Sequence, residues 1–498
     1  MEFVAVAAAW AISSVCQNIP PDHWLATKCP TTEGDAYILT ERLSSNAAVH
    51  YPGSDIFARS TNRWSASHAP NISVVAVPAV EGDVVEIVKY ANENNMPFLV
   101  YSGGHGSIES LGKMQNGIEI WMDQLSGVDV SEDGTSARIG GGTLSKTVTD
   151  SLWGAGKQTV TGGCECTSFL GPGLGGGHGV LQGNYGLIAD QFLSMNIALA
   201  NGTLQTIDKD SDLWWAMQGA GHNFGIVTSV TAKIYDIKHR DWAHASFIFT
   251  DDKVEALYEA INSHLMPPPP DVTVYGFFLY SPDIHPKPVI FYYLLQEGVT
   301  IVDPIYTQPF QDLGPTGTDA GNGDYRDIPR WVGWDLESLP CQHSGLANVR
   351  YPIDIEKYDV QAMRQVHDLF ASATQETPAL NGSFFLFEGY PVKGVQAVPS
   401  ESTAFPFRGD KLLLAPVLSY KPAGPELDKK AADLGNQLRH IIHKATGREE
   451  LHSYVNYAAG DETKQSWYGY EEWRQEKLLA LKNKYDPDRE FSFYAPIA

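Results

Sequence analysis

The sequence predicts an α+β protein in which a region of alternating strands and helices precedes an antiparallel sheet backed by helices. From residue 71 to residue 235, short apolar runs alternate with segments of helical periodicity. After residue 235, aromatic-rich strand candidates are accompanied by only two amphipathic helix candidates, which is typical of an antiparallel sheet with helices against it. A chain of 498 residues is long enough for two or three domains.

The first region is predicted to contain two successive groups of strands and helices. Its strands are expected at 72–77, 97–101, 117–122 and 137–139, and its helices at 81–95 and 144–155. The segment 192–204 is expected to form a hairpin that turns at Asn201 and Gly202, a favoured type I′ pair. A short helix is expected at 212–218.

The second region is predicted from its aromatic runs. Strands are expected at 272–280, 289–295, 383–390 and 411–420, and helices at 358–374 and 426–446. The segment 308–330 is rich in Gly, Asp and Pro and is expected to be a long loop. Residues 451–498 carry a motif of their own and a helical stretch at 470–485.

Charge excludes several classes of partner. The chain has 35 basic and 59 acidic side chains, and the resulting net charge of -24 repels nucleic acid and anionic membranes. No apolar run approaches the roughly 20 residues needed to span a bilayer. We therefore expect a small-molecule substrate, no nucleic-acid or membrane partner, and a monomer or homodimer.

The N-terminus leaves the location of the protein open. Residues 3–12 form a short apolar stretch like the core of a signal peptide, but no basic residue precedes it. The alternative is a first helix or a leader remnant within 1–47. Sequons at Asn71, Asn201 and Asn381 permit N-glycosylation of a secreted chain, although such triplets also arise by chance. The sequence is compatible with a secreted or an intracellular protein.

Two glycine-rich loops carry the most chemical information. The first, at 101–107, reads YSGGHGS and contains His105, and the second, at 164–179, reads CECTSFLGPGLGGGHG and opens with Cys164. Glycine allows a close backbone approach to a bulky ligand, and consecutive peptide N–H groups in such loops bind phosphate oxygens. The loops therefore place an imidazole and a thiol beside one anionic cofactor. No metal site is expected, because no second cysteine pair completes a zinc ligand set.

Three further motifs follow in the chain. They are YGLIAD at 185–190, GAGHNFGIV at 219–227 and YVNY at 454–457. The second is not a Rossmann fingerprint, because no acidic ribose ligand follows it at the proper strand end. Together with the two loops, these motifs resemble those of the berberine bridge enzyme-like flavoproteins, in the vanillyl-alcohol oxidase/PCMH-type FAD-binding superfamily. The resemblance runs from about residue 48 to residue 498.

The resemblance implies a PCMH-type FAD-binding domain in two parts, 48–235 and 451–498, with a substrate domain inserted at 236–450. It implies FAD held by two covalent bonds, to His105 and Cys164. Cofactor contacts are assigned to Ser102, Gly103, Gly104, Gly106, Ser107, Gly163, Gly175, Gly176, Gly177, His178, Gly179, Tyr185, Gly186, Asp190, Gly225, Ile226, Val227, Asn456 and Tyr457.

The cysteines depart from the family pattern. Family members usually have Pro-Thr-Val-Gly after the linking cysteine, whereas this chain continues with ECTS. The alternatives are therefore a bond through Cys166 or no bond to a thiol. A disulfide between Cys16 and Cys29 is implied by secreted members of the family. Five cysteines cannot all pair internally, which fits a thiol with another task.

The resemblance implies an oxidase that passes a hydride from a substrate carbon to flavin and returns the electrons to O2 as hydrogen peroxide. Tyr454 is the preferred catalytic residue, because family members often use a tyrosine there. Glu388 is the second candidate, since an acid among aromatic residues can have a raised pKa, with the alternative that it faces solvent or an ion pair. The expected substrate is a secondary-metabolite alcohol, phenol, alkaloid or polyketide intermediate. A carbohydrate oxidase and a non-redox cyclase are the alternatives.

Overall fold

Three sheets and a two-stranded ribbon organise residues 39–498, the part of the chain that the computed structural model describes. The expected apolar stretch at 3–12 and the expected Cys16–Cys29 disulfide lie outside these residues. The α+β class predicted from the sequence is confirmed, since parallel and antiparallel strands occur beside long helices. No helix within 39–498 is long and apolar enough to cross a membrane.

The first sheet is mixed and delivers the first glycine-rich loop. Its strands are β1 (Ala48–His50), β2 (Ile72–Val77), β3 (Phe98–Tyr101) and β4 (Gly117–Trp121), in the order β1-β2-β4-β3. Strands β2, β4 and β3 are parallel, and helix α2 (Glu81–Glu93) forms the connection from β2 to β3. Strand β1 is antiparallel to β2, and the short helix α1 (Asp55–Ser60) lies between them in the chain. The loop with His105 follows directly from β3, as predicted.

The second sheet is antiparallel. It contains β5 (Val128–Val130), β6 (Ser136–Gly140), β8 (Phe192–Ala198), β9 (Leu204–Asp208) and β10 (Ile226–Lys233), in the order β5-β6-β10-β8-β9. Between β6 and β10 lie α3 (Ser145–Gly154), α4 (Leu170–Leu174), α5 (Gln182–Tyr185) and α6 (Trp214–Met217). A ribbon of β7 (Lys157–Gln158) and β11 (Tyr235–Asp236) closes this region.

The third sheet draws all its strands from the segment assigned to the insertion. The strands are β12 (Trp242–Phe249), β13 (Val272–Leu279), β14 (Val289–Glu297), β15 (Gly317–Gly323), β16 (Ala347–Arg350), β17 (Ile353–Ile355), β18 (Phe384–Gly389) and β19 (Leu412–Tyr420). They pair in the order β15-β12-β14-β13-β18-β19-β16, and β17 pairs with β19.

The remaining helices lie in the segments 236–450 and 451–498. The first segment contains α7 (Val254–His264), α8 (Pro304–Gln311), α9 (Ile328–Val332), α10 (Val360–Glu376), α11 (Lys393–Gln396) and α12 (Pro425–Thr446), and the C-terminal segment contains α13 (Lys464–Tyr468) and α14 (Glu472–Tyr485). Apolar residues of α7, α10 and α12 share a buried core with the third sheet. These helices therefore back the sheet as expected.

Two local predictions are wrong. The segment 308–330 is not a loop throughout, because β15 pairs along its length with β12 and α9 follows. Gly and Asp in β15 disfavour a strand, but the backbone of β12 supplies its hydrogen-bond partners. The hairpin between β8 and β9 does not turn through a type I′ pair, since of Asn201 and Gly202 only Gly202 has a positive φ, +71°.

Strand β18 separates the helix-backed core from the opposite face of the sheet. Phe385 and Phe387 point toward the helices, and Phe385 stacks on Phe278 with ring centroids 5.3 Å apart. Because side chains alternate along a strand, Leu386 and Glu388 point the other way. That second face lines the cavity described below.

The C-terminal segment is tied to the second sheet by buried polar contacts. The Lys482 ammonium is fully buried and donates to Asp486 at 2.6 Å and to the carbonyl oxygens of Asn223 and Phe491 at 2.8 Å each. Asn223 also accepts from the backbone N–H of Ile497 at 3.1 Å. The last residues of the chain thus pack against the loop before β10, where the motif at 219–227 lies.

Candidate cofactor and active site

A cavity of about 330 Å³ lies where the first two sheets meet the third. Its walls come from the two glycine-rich loops, the start of β10, strands β18 and β19, and the C-terminal segment. This size falls within the range of roughly 300–1,000 Å³ typical of cofactor and ligand pockets. The sequence motifs that are far apart in the chain therefore converge on one site.

The first loop presents unpaired donors. No backbone N–H of residues 103–107 donates a hydrogen bond to a residue that the structure describes. Gly104 has φ of +66°, a left-handed conformation that glycine adopts without strain, and the Ser107 hydroxyl is buried without a partner among residues 39–498. Buried donors usually have partners, so this loop suits an anionic ligand such as a diphosphate.

His105 is held in place by aromatic and sulfur contacts. Its ring stacks on Trp64 with centroids 5.8 Å apart, and its Nε2 lies 3.2 Å from Sγ of Cys166. Burial, with the positive charge of Arg350 nearby, lowers the pKa of His105 well below its usual value, so the imidazole is neutral. If the contact to Cys166 is a hydrogen bond, Nε2 carries the proton and Nδ1 keeps the lone pair.

The proton of His105 is assigned to Nε2 because Cys166 forms a disulfide with Cys341, and a disulfide sulfur can only accept a hydrogen bond. Cys164 is the free cysteine among the described residues, and it lines the cavity whereas Cys166 and Cys341 do not. Burial raises the pKa of Cys164 to about 11, although backbone N–H groups and Arg350 lower it in part. The pairing leaves Cys164 as the available thiol.

The cysteine cluster also bears on the zinc alternative. The sequence lacks a second cysteine pair, but the fold brings Cys341 to within 4.8 Å of Cys164 and Cys166. The disulfide consumes two of these three sulfurs, so a single thiol remains. A structural zinc site needs four ligands, and the cluster does not provide them.

The glycine triplet of the second loop, Gly175 to Gly177, packs against other parts of the protein and does not line the cavity. A Cβ on Gly175 would lie 2.2 Å from Oδ1 of Asn456, and a Cβ on Gly176 would lie 2.4 Å from the Phe405 ring. Glycine is required there by packing against the protein itself. His178, which follows the triplet, does line the cavity, and burial lowers its pKa to about 4.

The motif at 185–190 lies in the same supporting layer. Both oxygens of Asp190 accept from Arg408, at 2.8 and 3.0 Å, and Oδ2 also accepts from the backbone N–H of Leu187 at 2.8 Å. Ile188 donates its backbone N–H to the carbonyl of Gly177 at 2.9 Å. The motif therefore fixes the second loop rather than facing the cavity.

Glu388 faces the cavity and has an unusual environment. Its side chain is only 2% exposed, and it accepts hydrogen bonds from Tyr390 at 3.0 Å and from Tyr457 at 3.2 Å. Burial raises the pKa of Glu388 to about 7, against the opposing effect of the two hydroxyls and Arg350. The alternative that Glu388 faces solvent is wrong.

The Tyr454 ring packs against the His178 ring, with ring centroids 4.8 Å apart. Its hydroxyl oxygen accepts from Nδ2 of Asn456 at 2.7 Å and from the backbone N–H of His178 at 3.3 Å. Burial raises its pKa above the usual value, so it is a phenol. With two donors on the oxygen, its own proton is free to donate elsewhere.

Several cavity residues were not predicted. Arg350 lies between two rings, 3.9 Å from the Trp64 centroid and 4.6 Å from that of Tyr457. Trp334 and Tyr390 complete an aromatic wall. Alternation of Phe384, Leu386, Glu388 and Tyr390 along β18 could have identified Tyr390, but no local pattern marks Arg350, Trp64 or Trp334.

The predicted site residues thus divide into two sets. Those that line the cavity are Ser102, Gly103, Gly104, His105, Gly106, Gly163, Cys164, His178, Gly225, Ile226, Val227, Glu388, Tyr454, Asn456 and Tyr457. Those that do not are Ser107, Gly175, Gly176, Gly177, Gly179, Tyr185, Gly186 and Asp190.

Comparison with known proteins agrees with the resemblance. The FAD binding domain family matches residues 72–208. A curated protein, FAD-linked oxidoreductase chyH from Penicillium rubens, is 51% identical, and the match covers 100% of both chains.

Solved structures agree on the fold. Physcomitrella patens BBE-like 1 has a TM-score of 0.78 at 20% identity, covering 94% of this chain and 100% of that one. Xylooligosaccharide oxidase from Myceliophthora thermophila C1, solved in complex with xylobiose, has a TM-score of 0.79 at 18% identity, covering 93% and 98%. The berberine bridge enzyme-like, PCMH-type fold expected from the motifs is confirmed.

Proposed function

This chain belongs to the FAD-linked oxidoreductases, and we propose that it is an oxidase with bicovalently bound FAD that oxidises a small aromatic alcohol, phenol or related metabolite. The observation that carries the proposal is the meeting of His105, Cys164 and Glu388 in one cavity. The first two would hold the cofactor, and the third would accept the substrate proton.

The residues present fit FAD. The unpaired N–H groups at 103–106, which line the cavity, suit its diphosphate. The backbone of Ile226 and Val227 and the side chain of Asn456 provide further cavity wall. Local backbone dipoles can bind this anion even though the chain as a whole has a net charge of -24.

Two nucleophiles suit covalent attachment. The lowered pKa of His105 keeps its imidazole neutral, as an attack on a carbon atom requires. Cys164 must lose its proton first. Burial raises its pKa to about 11, and the backbone N–H groups of Cys166 and Thr167 with the Arg350 charge offset this in part. Attachment through both residues would prevent loss of the cofactor and tune it electronically.

Bound FAD would supply the acceptor for a hydride leaving the substrate carbon, and O2 would remove the two electrons with two protons as hydrogen peroxide. Glu388 is the better general base of the two candidates, because its pKa of about 7 leaves it partly ionised near neutrality. Tyr390 and Tyr457 hold its two oxygens in a fixed orientation.

Tyr454 would act as a hydrogen-bond donor rather than as a base. Its raised pKa disfavours the phenolate, while Asn456 and the N–H of His178 occupy its oxygen and direct the proton away from them. Such a donor can orient a substrate hydroxyl for the base.

The walls of the cavity favour a flat, apolar substrate. Trp334, Phe384, Tyr390 and Tyr457 contribute aromatic surface, and Leu386 and Leu413 add aliphatic surface. Aromatic side chains bind ring systems by stacking and edge contacts. Aromatic platforms also stack on sugar faces, so an oligosaccharide is the second substrate class to test.

The proposal includes passage through the secretory pathway. The Cys166–Cys341 disulfide is of a kind that persists in oxidising compartments. Two of the sequon residues, Asn71 and Asn201, are exposed and accessible to glycosylation. Comparing the mass of the expressed protein before and after glycosidase treatment would test for glycans at these sequons.

The function is tested by mixing the purified protein, without oxygen, with a panel of benzylic alcohols, phenols and oligosaccharides. The expected result is bleaching of the flavin absorbance by an aromatic alcohol or phenol, followed by oxygen consumption and peroxide release once oxygen is admitted. Bleaching only by oligosaccharides would identify a carbohydrate oxidase. Product formation with no bleaching of the flavin, and no oxygen consumption after oxygen is admitted, would indicate the non-redox cyclase.

A further inference from the structure

Three sulfur atoms from two distant parts of the chain meet beside the cofactor cavity. Sγ of Cys164 lies 3.4 Å from Sγ of Cys166 and 3.6 Å from Sγ of Cys341. Cys341 is 175 residues from its disulfide partner in the sequence. Of the three cysteines, only Cys164 lines the cavity.

We propose that the Cys166–Cys341 disulfide selects Cys164 as the flavin-attachment residue, and that Cys341 is therefore a positioning residue for cofactor attachment. This inference rests on the proposed function. By engaging the sulfur of Cys166, Cys341 removes the nearest competitor with which Cys164 could form a disulfide.

The chemistry of the cluster explains why selection is needed. The Cys164 thiolate can attack Sγ of Cys166, whereupon the Cys166–Cys341 bond breaks and its electron pair leaves with Cys341, which takes up the proton that Cys164 lost. Attack on Cys341 releases Cys166 in the same way. No oxidant is consumed, and each of the three pairings leaves one thiol.

Only one of these pairings leaves its thiol in the cavity. When Cys166 and Cys341 are joined, the free thiol is Cys164, which faces the cofactor site. The carbon–sulfur bond would replace the S–H bond of Cys164 and a C–H bond of the flavin, and O2 would take up the two electrons and two protons released as hydrogen peroxide. Once Cys164 carries this bond it can no longer attack a disulfide. Attachment of the cofactor would therefore lock the pairing seen here.

Hydrogen bonds as well as the disulfide join the loop that carries Cys164 to the segment that carries Cys341. The backbone N–H of Glu165 donates to the carbonyl of Trp334 at 3.0 Å, and the N–H of Leu336 donates to Oε2 of Glu165 at 2.9 Å. Lys146 adds an ion pair to Oε1 of Glu165 at 2.8 Å. If Cys166 is replaced, Cys341 should thus remain beside Cys164 as a second thiol. If Cys341 is replaced, Cys166 remains there because a single residue separates it from Cys164.

The test compares the wild-type protein with Cys341→Ser, Cys166→Ser and the double variant Cys166→Ser/Cys341→Ser. All are produced through an oxidising secretory compartment, where glutathione disulfide can take two electrons and two protons from a pair of thiols. Peptide mass spectrometry without reduction then measures flavin on Cys164 and on His105, and maps the disulfides.

Each single variant leaves Cys164 one partner thiol, so flavin on Cys164 should fall about tenfold while a disulfide from Cys164 to the remaining cysteine appears. Flavin on His105 should persist and shows that the variants fold. Within residues 39–498 the double variant has no competing thiol, so flavin on Cys164 should return to the wild-type level.

A double variant as poor as the single variants would show that the disulfide is merely structural and would overturn the inference. Single variants with undiminished flavin on Cys164 would also overturn it while leaving the proposed function intact. Wild-type protein with no flavin on Cys164 would instead reject both the thioether and the inference.

Discussion

Tyr457 donates a hydrogen bond of 3.2 Å to Oε2 of Glu388, and this contact joins the C-terminal segment to strand β18 of the third sheet. Tyr390 holds the other carboxylate oxygen at 3.0 Å. The Glu388 carboxylate is therefore oriented by residues from both sides of the cavity. Any movement of the C-terminal segment against the third sheet would change the position of the carboxylate.

Replacing Glu388 with Gln should slow reduction of the bound flavin by substrate roughly 10²–10⁴-fold, because the amide cannot accept the substrate proton. In the wild-type protein the rate should rise with pH through about 7, as the carboxyl group loses its proton. Stopped-flow measurement of flavin reduction over a pH series would show both effects, and the variant should lack the rise.

Glu297→Gln is the matched control for this variant. Glu297 is also buried with a raised pKa, but it does not line the cavity. It should keep the wild-type rate and pH profile. A Glu388→Gln enzyme that still showed the rise near neutrality would assign the titration to another group.

Glu388 should also make stability depend on pH. Its pKa is raised in the folded protein, so folding favours the protonated form, and its contribution to stability is lost as pH rises from the unfolded pKa of about 4.3 through about 7. At pH 8, Glu388→Gln should therefore unfold at a higher temperature than the wild type, and near pH 4 the difference should vanish. Calorimetry of both flavin-loaded proteins tests the sign, and a variant that is less stable only at high pH would contradict it.

Tyr454→Phe should slow flavin reduction by about tenfold to a hundredfold while changing substrate binding less, because it removes a donor without removing the ring. Tyr468→Phe is the control, since the Tyr468 hydroxyl is buried but bonds Asn223 and the carbonyl of Ala495, away from the cavity. Measuring the rate of flavin reduction over a range of substrate concentrations separates the effect on the reduction rate from the effect on substrate binding. An unchanged rate would remove Tyr454 from catalysis.

Asp190→Asn should lower the free energy of unfolding by about 3–5 kcal/mol, because it leaves the buried Arg408 guanidinium without its anionic partner. The exposed pair of Asp212 and Lys484 offers a comparison, and Asp212→Asn should cost at most about 1 kcal/mol. Thermal unfolding measures both. A loss of flavin from stably folded Asp190→Asn protein would instead favour direct cofactor contact.

His105→Ala should yield protein whose flavin is bonded only through Cys164 and is retained less well. His343→Ala is the control, because its ring meets His105 edge-on at 5.8 Å but does not line the cavity. Acid precipitation followed by peptide mapping gives the readout. Flavin on another histidine would remove His105 from the attachment site.

Much of the fold could be predicted because periodicity marks buried faces. Strands β2, β13 and β19 and helices α2 and α12 lie within a few residues of their expected limits. Strand β15 could not be predicted, because Gly317–Gly323 has little strand propensity and is held by pairing with β12. Its partner β12 was missed as well.

Site residues could be predicted only where they stand in a glycine-rich loop or in a motif with a recognisable local pattern. His105, Cys164 and Glu388 stand in recognisable local patterns. Arg350 and the pairing of Cys341 depend on contacts between segments more than 150 residues apart, about which local sequence carries no information. Motif resemblance also could not separate residues facing the cavity from those, such as Asp190, that support its wall.

The most direct test of the central claim is peptide mass spectrometry of purified wild-type protein after acid precipitation. Flavin mass on the His105 peptide and on the Cys164 peptide, with Cys166 and Cys341 joined, is the predicted result. Free flavin in the supernatant, with neither peptide modified, would contradict bicovalent attachment.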